Sequence, residues 1–480
     1  MRKRLPGMAL PVLFLLLLLL LPSDCAGETL HVAPGGLGEA LSSCRDGDVL
    51  ELADGIYGTD TEEFPLTVSR AVTLRAAEGA APVIDAPRGK DALRIEADGV
   101  TLLGLEIMFR RTGVYAVGNN LTMENCRIIL PEDARRVSAC GMWCGGIRCL
   151  TMRGCAFTRC GISLAGPPLS ERSENLPKLT GLFEVGEDPE FFTSHTVENC
   201  TVNGRPLFYA AGLEEVSPPA DAGEIICCGC GSVTVLGADT HDASMGIILA
   251  YDESVLVKDS RADRCGVFGI YVAKCTGAQV IGCSATETNH GIDIRGCDSV
   301  LLRDCTAADC EQGLFFSSVS NSTMEACTVT GTRQGYFMAG GSGNRMIGCL
   351  ASGSENGIHL ENCARVEVTG CTVEQCTVCG VRLDRAPVTF SGNTLRGNWV
   401  GIIAYGQGAL DAADNLFENN LNCGMYLNGI SFSRITGNRF TGSGEFSVIA
   451  KGATGGSVFS GNETDVPPDF SAVTEPFTEE

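Results

Sequence analysis

Basic residues are scarce in this chain: 35 Lys and Arg stand against 58 Asp and Glu, a formal net charge of −23. A surface of that sign repels phosphate backbones instead of releasing their counterions, so nucleic acid is not an expected partner. It opposes acidic polysaccharides too, unless a local basic patch or bound Ca²⁺ reverses the field, and Ca²⁺ is the one cofactor left open. Histidine is also rare, at five residues. Cys227, Cys228 and Cys230, with Cys140 and Cys144, therefore lack both the His partners and the spacing of a zinc site, and no metal ligands are assigned. Trp numbers only 2 and charged residues 19%, whereas Gly numbers 60 and the hydrophobic share is 44%, ample for one continuous core.

Long apolar runs are confined to the start. Arg2, Lys3 and Arg4 precede an apolar stretch from Leu10 to Leu21, and Cys25-Ala26-Gly27 offers small residues for cleavage after Gly27. Residues 1–27 read as a secretory signal peptide, which places the mature chain outside the cell or in the cell envelope without a transmembrane anchor. The stretch is short for an uncleaved anchor, Pro6 and Pro11 disfavour one, and Asp24 is a poor neighbour for a lipidated Cys25. At the other end, residues 463–480 are acidic, carry Pro467, Pro468 and Pro476, and read as a disordered tail.

What the sequence does have is a period. Cys283, Cys305, Cys327, Cys349, Cys371, Asn393 and Asn415 follow one another at intervals of 22 residues, and Asn438 and Asn462 continue the column. Gly246, Gly269, Gly291, Gly313, Gly335, Gly357, Gly380, Gly401 and Gly424 form a second column. Each Gly is followed by apolar–any–apolar, as in Ile292-Asp293-Ile294 and Val381-Arg382-Leu383, the period-two pattern of a strand with its outer residues facing inward. Units this short, and this rich in Gly, Thr and Val, do not make helix pairs. A coil of three short strands and three turns does fit, with successive coils stacked ~4.8 Å apart. The fold expected for residues 28–462 is all-β: a single-stranded right-handed parallel β-helix, a solenoid of ~22-residue coils.

The cysteines then fall at turns into the core, in the column above and in two more: Cys160, Cys265, Cys310 and Cys376; and Cys275, Cys297 and Cys363. Small buried residues explain them better than a disulfide framework, although neighbouring coils are close enough for some bridges. Asn in the later coils adds an amide able to bond the Asn above and below. Leu37, Ala40, Leu41 and Cys44 lie on one helical stripe and predict a short N-terminal capping helix, with Gly47 to Leu52 as the first strand. Loop insertions interrupt the repeat near 166–195 and 203–231.

The stretch Gly47-Asp48-Val49-Leu50-Glu51-Leu52-Ala53-Asp54-Gly55-Ile56-Tyr57, with Phe64-Pro65-Leu66 and Val72-Thr73-Leu74, resembles the opening of secreted proteins of the pectin-lyase-like superfamily. Thr201-Val202-Asn203-Gly204-Arg205-Pro206-Leu207-Phe208-Tyr209, with Asp221 to Ile226 and Ser232 to Val235, is similar to the hairpin insertion of NosD-like β-helix proteins. Those repeats are also described as carbohydrate-binding and sugar-hydrolase repeats. The resemblance implies the fold, within a superfamily that includes lyases, hydrolases, epimerases and proteins without known catalysis. NosD itself is implicated in maturing a periplasmic copper enzyme.

Outward side chains after each column Gly should form a row along one sheet: Tyr271, Asp293, Phe315, Phe337, His359, Arg382 and Tyr426, flanked by Arg295, Glu361, Asp384 and Tyr405. Rings stack on apolar sugar faces while charged groups bond hydroxyls, so this row is the expected polysaccharide-binding surface. Packing beneath a loop or partner is the alternative. Glu361 and Asp384 should sit on adjacent coils, ~5 Å apart, a spacing that suits a retaining glycosidase pair. The alginate and chondroitin lyases that resemble the chain's opening use Lys and Arg one coil apart, which corresponds to Lys274 and Arg295. Val267 and Gly269 stand where the Ca²⁺-binding acids of those lyases would be. The leading expectation is a secreted polysaccharide-binding β-helix. Behind it stand a polysaccharide lyase or glycoside hydrolase, and then a structural or adhesive solenoid or a copper-enzyme accessory protein.

Overall fold

The structure, a computed structural model, describes residues 27–165, 188–406, 408–452 and 454–478. The expected signal peptide, apart from Gly27, and residues 166–187 of the first insertion lie outside the described residues.

The chain winds as a right-handed parallel β-helix whose coils each contribute a strand to three faces. A representative coil runs Gln279–Ile281 on the first face, Ser284–Thr286 on the second and His290–Arg295 on the third. The same residues one period on pair with these in parallel, Gln279 with Leu301, Ser284 with Thr306 and His290 with Gln312. Inward side chains of all three faces fill one core from Val32 to Ala450. Among the described strands the one antiparallel pairing joins Thr201–Val202 to Arg205–Ala211 through Asn203 and Gly204, both at positive φ, a tight hairpin inside the second insertion. The rest of that insertion is regular, because Arg205–Ala211 and Glu224–Cys228 pair in parallel and open the second half of the third face.

The glycine column has a steric cause. A Cβ on Gly269 would lie 2.6 Å from the carbonyl oxygen of Gly291, and one on Gly313 would lie 2.6 Å from that of Gly335. Coils approach too closely here for any side chain. Strand pairing also steps over the column, from Phe268↔His290 to Ile270↔Ile292. At the corner before each Cys or Asn the chain turns through left-handed backbone, as at Asp304 (φ +54°) and Gly370 (φ +64°).

The asparagines bond as their spacing implies. Asn393 Nδ2 donates to Asn415 Oδ1 at 3.0 Å, Asn415 to Asn438 at 2.9 Å and Asn438 to Asn462 at 3.0 Å. A second, shorter run joins Asn398 to Asn420 at 3.1 Å. The described cysteines are all free thiols, and all but Cys149 are buried. Their thiols donate to main-chain carbonyls of the core, Cys305 to Val280 at 3.3 Å and Cys349 to Met324 at 3.5 Å.

The helix Leu37–Ser43 covers the N-terminal end with Leu37 and Leu41 inward. Glu62 accepts from the amides of Gly35, Leu37 and Gly38 at its start, at 2.8, 3.2 and 3.0 Å. Two expectations are corrected at the ends. The first strand is Thr29–Val32, ahead of the helix, and it pairs with Val49–Leu52. The acidic tail is ordered through residue 478: Asp469–Val473 adds a strand to Phe446–Gly452, and Phe470 and Phe477 stack at 4.6 Å beside Phe459. Three rings outweigh a composition that otherwise reads as disordered.

Candidate functional site

Strand alternation puts every predicted row residue on the outer side of the third face, as the pairings Tyr271↔Asp293, Phe315↔Phe337, His359↔Arg382 and Ile403↔Tyr426 require. Burial divides the row into two stretches of different character.

The earlier stretch is closed to solvent. Tyr271 and Phe315 are each 3% exposed, and Asp293 and Arg295 are buried with them. Arg295 donates to Asp293 through Nε at 2.7 Å and Nη2 at 2.8 Å, and His290 Nδ1 donates to the same carboxylate at 2.7 Å. Burial opposes ionisation of Asp293, but the charge and hydrogen bonds of Arg295 and the bond from His290 outweigh it and hold the carboxyl below its ordinary range. The guanidinium lies 5.0 Å from the ring centre of Phe315 and 5.5 Å from that of Phe268. Tyr271, Asp293 and Phe315, expected to meet a sugar chain, are therefore packed and not presented.

The predicted lyase pair does not assemble. Backbone pairing puts Lys274 and Arg295 on adjacent coils, Lys274 N donating to Arg295 O at 2.9 Å. Lys274, however, is an exposed corner residue with φ +55°, whereas the Arg295 guanidinium is buried and bound to Asp293. Alternation fixes the side of the sheet for Arg295 but says nothing of a residue one step past the strand, where the chain turns away.

The later stretch is open. Phe337, Arg382 and Tyr426 are half-buried and Tyr405 is 37% exposed. Phe337 stacks on the buried His359 ring at 4.6 Å and 11°. His359 Nε2 donates to Asp384 Oδ2 at 2.9 Å, and Arg382 Nε donates to the same oxygen at 2.7 Å. Arg382 also lies 5.7 Å from the Tyr405 ring centre, and Tyr405 and Tyr426 are 6.2 Å apart. Partial burial of Asp384 opposes its charge, but its bonds from Arg382 and His359 prevail and hold its carboxyl below the usual range. Burial lowers the His359 pKa despite Asp384, so its neutral form is favoured.

Glu361 and Asp384 are direct neighbours across the coils, as the spacing predicts. Asp384 is not the raised-pKa acid that stacked carboxylates would yield, because the Arg382 charge and the hydrogen bonds from Arg382 and His359 favour its ionised form. Glu361 has a looser environment, 3.4 Å from Asn362 Nδ2 and 3.9 Å from Arg385. Of the two carboxylates, Asp384 is the one its partners hold ionised.

Two residues outside the predicted row join this stretch. Trp399, 50% exposed, stands at the corner leading into Val400–Tyr405, and Lys451 lies 5.4 Å from the Tyr426 ring centre. Alternation does not reach a corner residue, so the one signal for Trp399 was its rarity. Among the described residues no group of three or more His, Cys, Asp or Glu is placed to hold a metal ion, and no helix is long and apolar enough to cross a membrane.

The family described as a right-handed β-helix region matches residues 91–293, 268–420 and 380–466. The chain belongs to the right-handed β-helix family. No curated protein matches the sequence of this β-helix. Solved structures similar to it include the periplasmic alginate epimerase AlgG, at 12% identity over 93% of this chain and 87% of that one, with a TM-score of 0.32. The A-module of Azotobacter vinelandii mannuronan C-5 epimerase AlgE4 is 12% identical over 93% of each chain, with a TM-score of 0.30. Tailspike protein 3 of bacteriophage CBA120 is 12% identical over 92% of this chain and 59% of its own, with a TM-score of 0.28.

Proposed function

We propose that this β-helix binds polysaccharide outside the cell or in its envelope through the open stretch of its third face, from Phe337 to Tyr426. The observation that carries the reading is a half-open patch in which Phe337, Arg382 and Tyr426 share one file with His359 and Ile403, and Tyr405 shares the neighbouring file with Glu361 and Asp384. Side chains held on a paired sheet lose little freedom on binding. Rings supply stacking surface, and the carboxylates and guanidinium supply partners for hydroxyls.

A second reading is favoured by one feature, the adjacency of Glu361 and Asp384. In a glycoside hydrolase here, Glu361 would protonate the leaving oxygen and Asp384, ionised, would act on the anomeric carbon. One experiment addresses both: incubation of the purified protein with neutral and acidic polysaccharides, with and without Ca²⁺, scoring retention and chain cleavage together. Retention without cleavage supports binding. New reducing ends that vanish in Glu361→Gln support the hydrolase. Neither result on any polysaccharide sinks both readings and leaves a structural solenoid.

A further inference from the structure

The open stretch has an apolar floor of its own. Cys379, Val400 and Cys423 form a buried cluster separate from the core inside the coils, with Ile403, Tyr426 and Ile449 packed against it. Ile403 and Tyr426 are paired outward positions of the third face, so the cluster lies on the outside of the sheet. Exposed rings stand at both ends of one of its strands, Trp399 at the corner before Val400 and Tyr405 at the close. The six residue steps from Trp399 to Tyr405 span ~20 Å of extended chain, the reach of a short oligosaccharide.

Charge around this floor is largely cancelled. Arg382 is bound to Asp384 at 2.7 Å, and Arg385 donates to Asn362 Oδ1 at 2.8 Å with Glu361 3.9 Å away. Lys451, at the far edge, faces the Tyr426 ring. A uronate chain brings one carboxylate per sugar. It would need cations that these carboxylates already occupy, against the field of a chain of net charge −23. An uncharged sugar brings no such demand, and its apolar ring faces match exposed indole and phenol rings over an aliphatic floor.

We infer that the ligand of this face is an uncharged polysaccharide, laid over Val400 and Ile403 between Trp399 and Tyr405, with Trp399 as a stacking position. The inference rests on the polysaccharide-binding reading above and goes beyond it in the class of glycan and in Trp399.

The test is affinity electrophoresis of the full chain through gels containing a neutral polysaccharide (xyloglucan, galactomannan or a β-glucan) or an acidic one (alginate or polygalacturonate), for wild type and Trp399→Ala. The expected result is retardation by a neutral polysaccharide, unchanged by added salt and weakened at least tenfold in Trp399→Ala, with both proteins unfolding at the same temperature. Trp399 is exposed at a corner, so its loss should leave the fold intact. Retardation by the acidic polysaccharides alone overturns the inference but leaves polysaccharide binding standing. Equal retardation of the variant overturns the role of Trp399. No retardation in any gel removes the polysaccharide-binding reading, and the inference with it.

Discussion

His359 on one coil and Asp384 on the next share a hydrogen bond of 2.9 Å, and the His ring is held from its other side by Phe337. The folded protein keeps His359 neutral and Asp384 ionised, so both pKa values lie below those of the unfolded chain. Stability tied to either group is complete above its unfolded pKa and lost as pH falls. The loss begins near ~6.5 for His359 and near ~3.9 for Asp384. Thermal midpoints should therefore drop as the solution is acidified from neutral. His359→Gln, which can still donate to Asp384, should remove part of the drop that begins near ~6.5. A variant whose midpoints follow the wild-type curve would contradict this protonation state.

Gly313 and Gly370 separate two reasons for glycine. A Cβ on Gly313 would meet the Gly335 carbonyl oxygen and Val329 Cγ1, each at 2.6 Å, whereas one on Gly370 meets nothing within 4 Å and only its φ of +64° resists a side chain. Gly313→Ala should cost about 3 kcal/mol or more through overpacking against backbone. Gly370→Ala should cost ~1 kcal/mol, the left-handed penalty alone. Chemical denaturation of the two variants measures both, and equal losses would refute the steric explanation of the column.

The Asn415 side chain takes part in four bonds: its Nδ2 donates to Phe390 O and Asn438 Oδ1, and its Oδ1 accepts from the backbone and side-chain nitrogens of Asn393. Asn415→Leu fills the space but strands these buried partners, at ~1–3 kcal/mol for each group left unsatisfied. Asn415→Cys should be milder, because Cys371 already accepts the Cys349 amide at 3.4 Å in the same column. Denaturation midpoints in the order wild type, Cys, Leu are expected. A Leu variant as stable as wild type would show that the amide run contributes nothing.

Among the described cysteines, Cys149 alone is exposed, and none is bridged. A membrane-impermeant alkylating reagent on the native protein, followed by peptide mapping, should modify Cys149 quickly. The other described thiols should react only on unfolding. Rapid labelling of Cys283 or Cys349 would contradict their place in the core.

Much of the fold was legible because a solenoid writes its geometry into spacing. The column from Cys283 to Asn415 fixed the coil length, and residues such as Ile292-Asp293-Ile294 fixed which side chains face in. Less of the site was legible. Alternation shows that Tyr271, Asp293 and Phe315 point outward, but the outer side of a sheet is not the same as solvent, and those residues are buried. Arg295 and Asp293 read as separate candidates in sequence, two residues apart, and prove to be one ion pair. Trp399 stands at a corner where no period applies. Phe470 and Phe477 were masked by the acidic, Pro-containing tail around them.

The central claim is that polysaccharide lies on the open stretch of the third face, and oxidative footprinting with a retained polysaccharide tests it most directly. Tyr405 and Tyr426 should be protected from hydroxyl-radical modification when the polysaccharide is present, while buried Tyr271 stays unmodified with or without it. Protection elsewhere on the coils, with Tyr405 and Tyr426 equally reactive in both states, would contradict the claim.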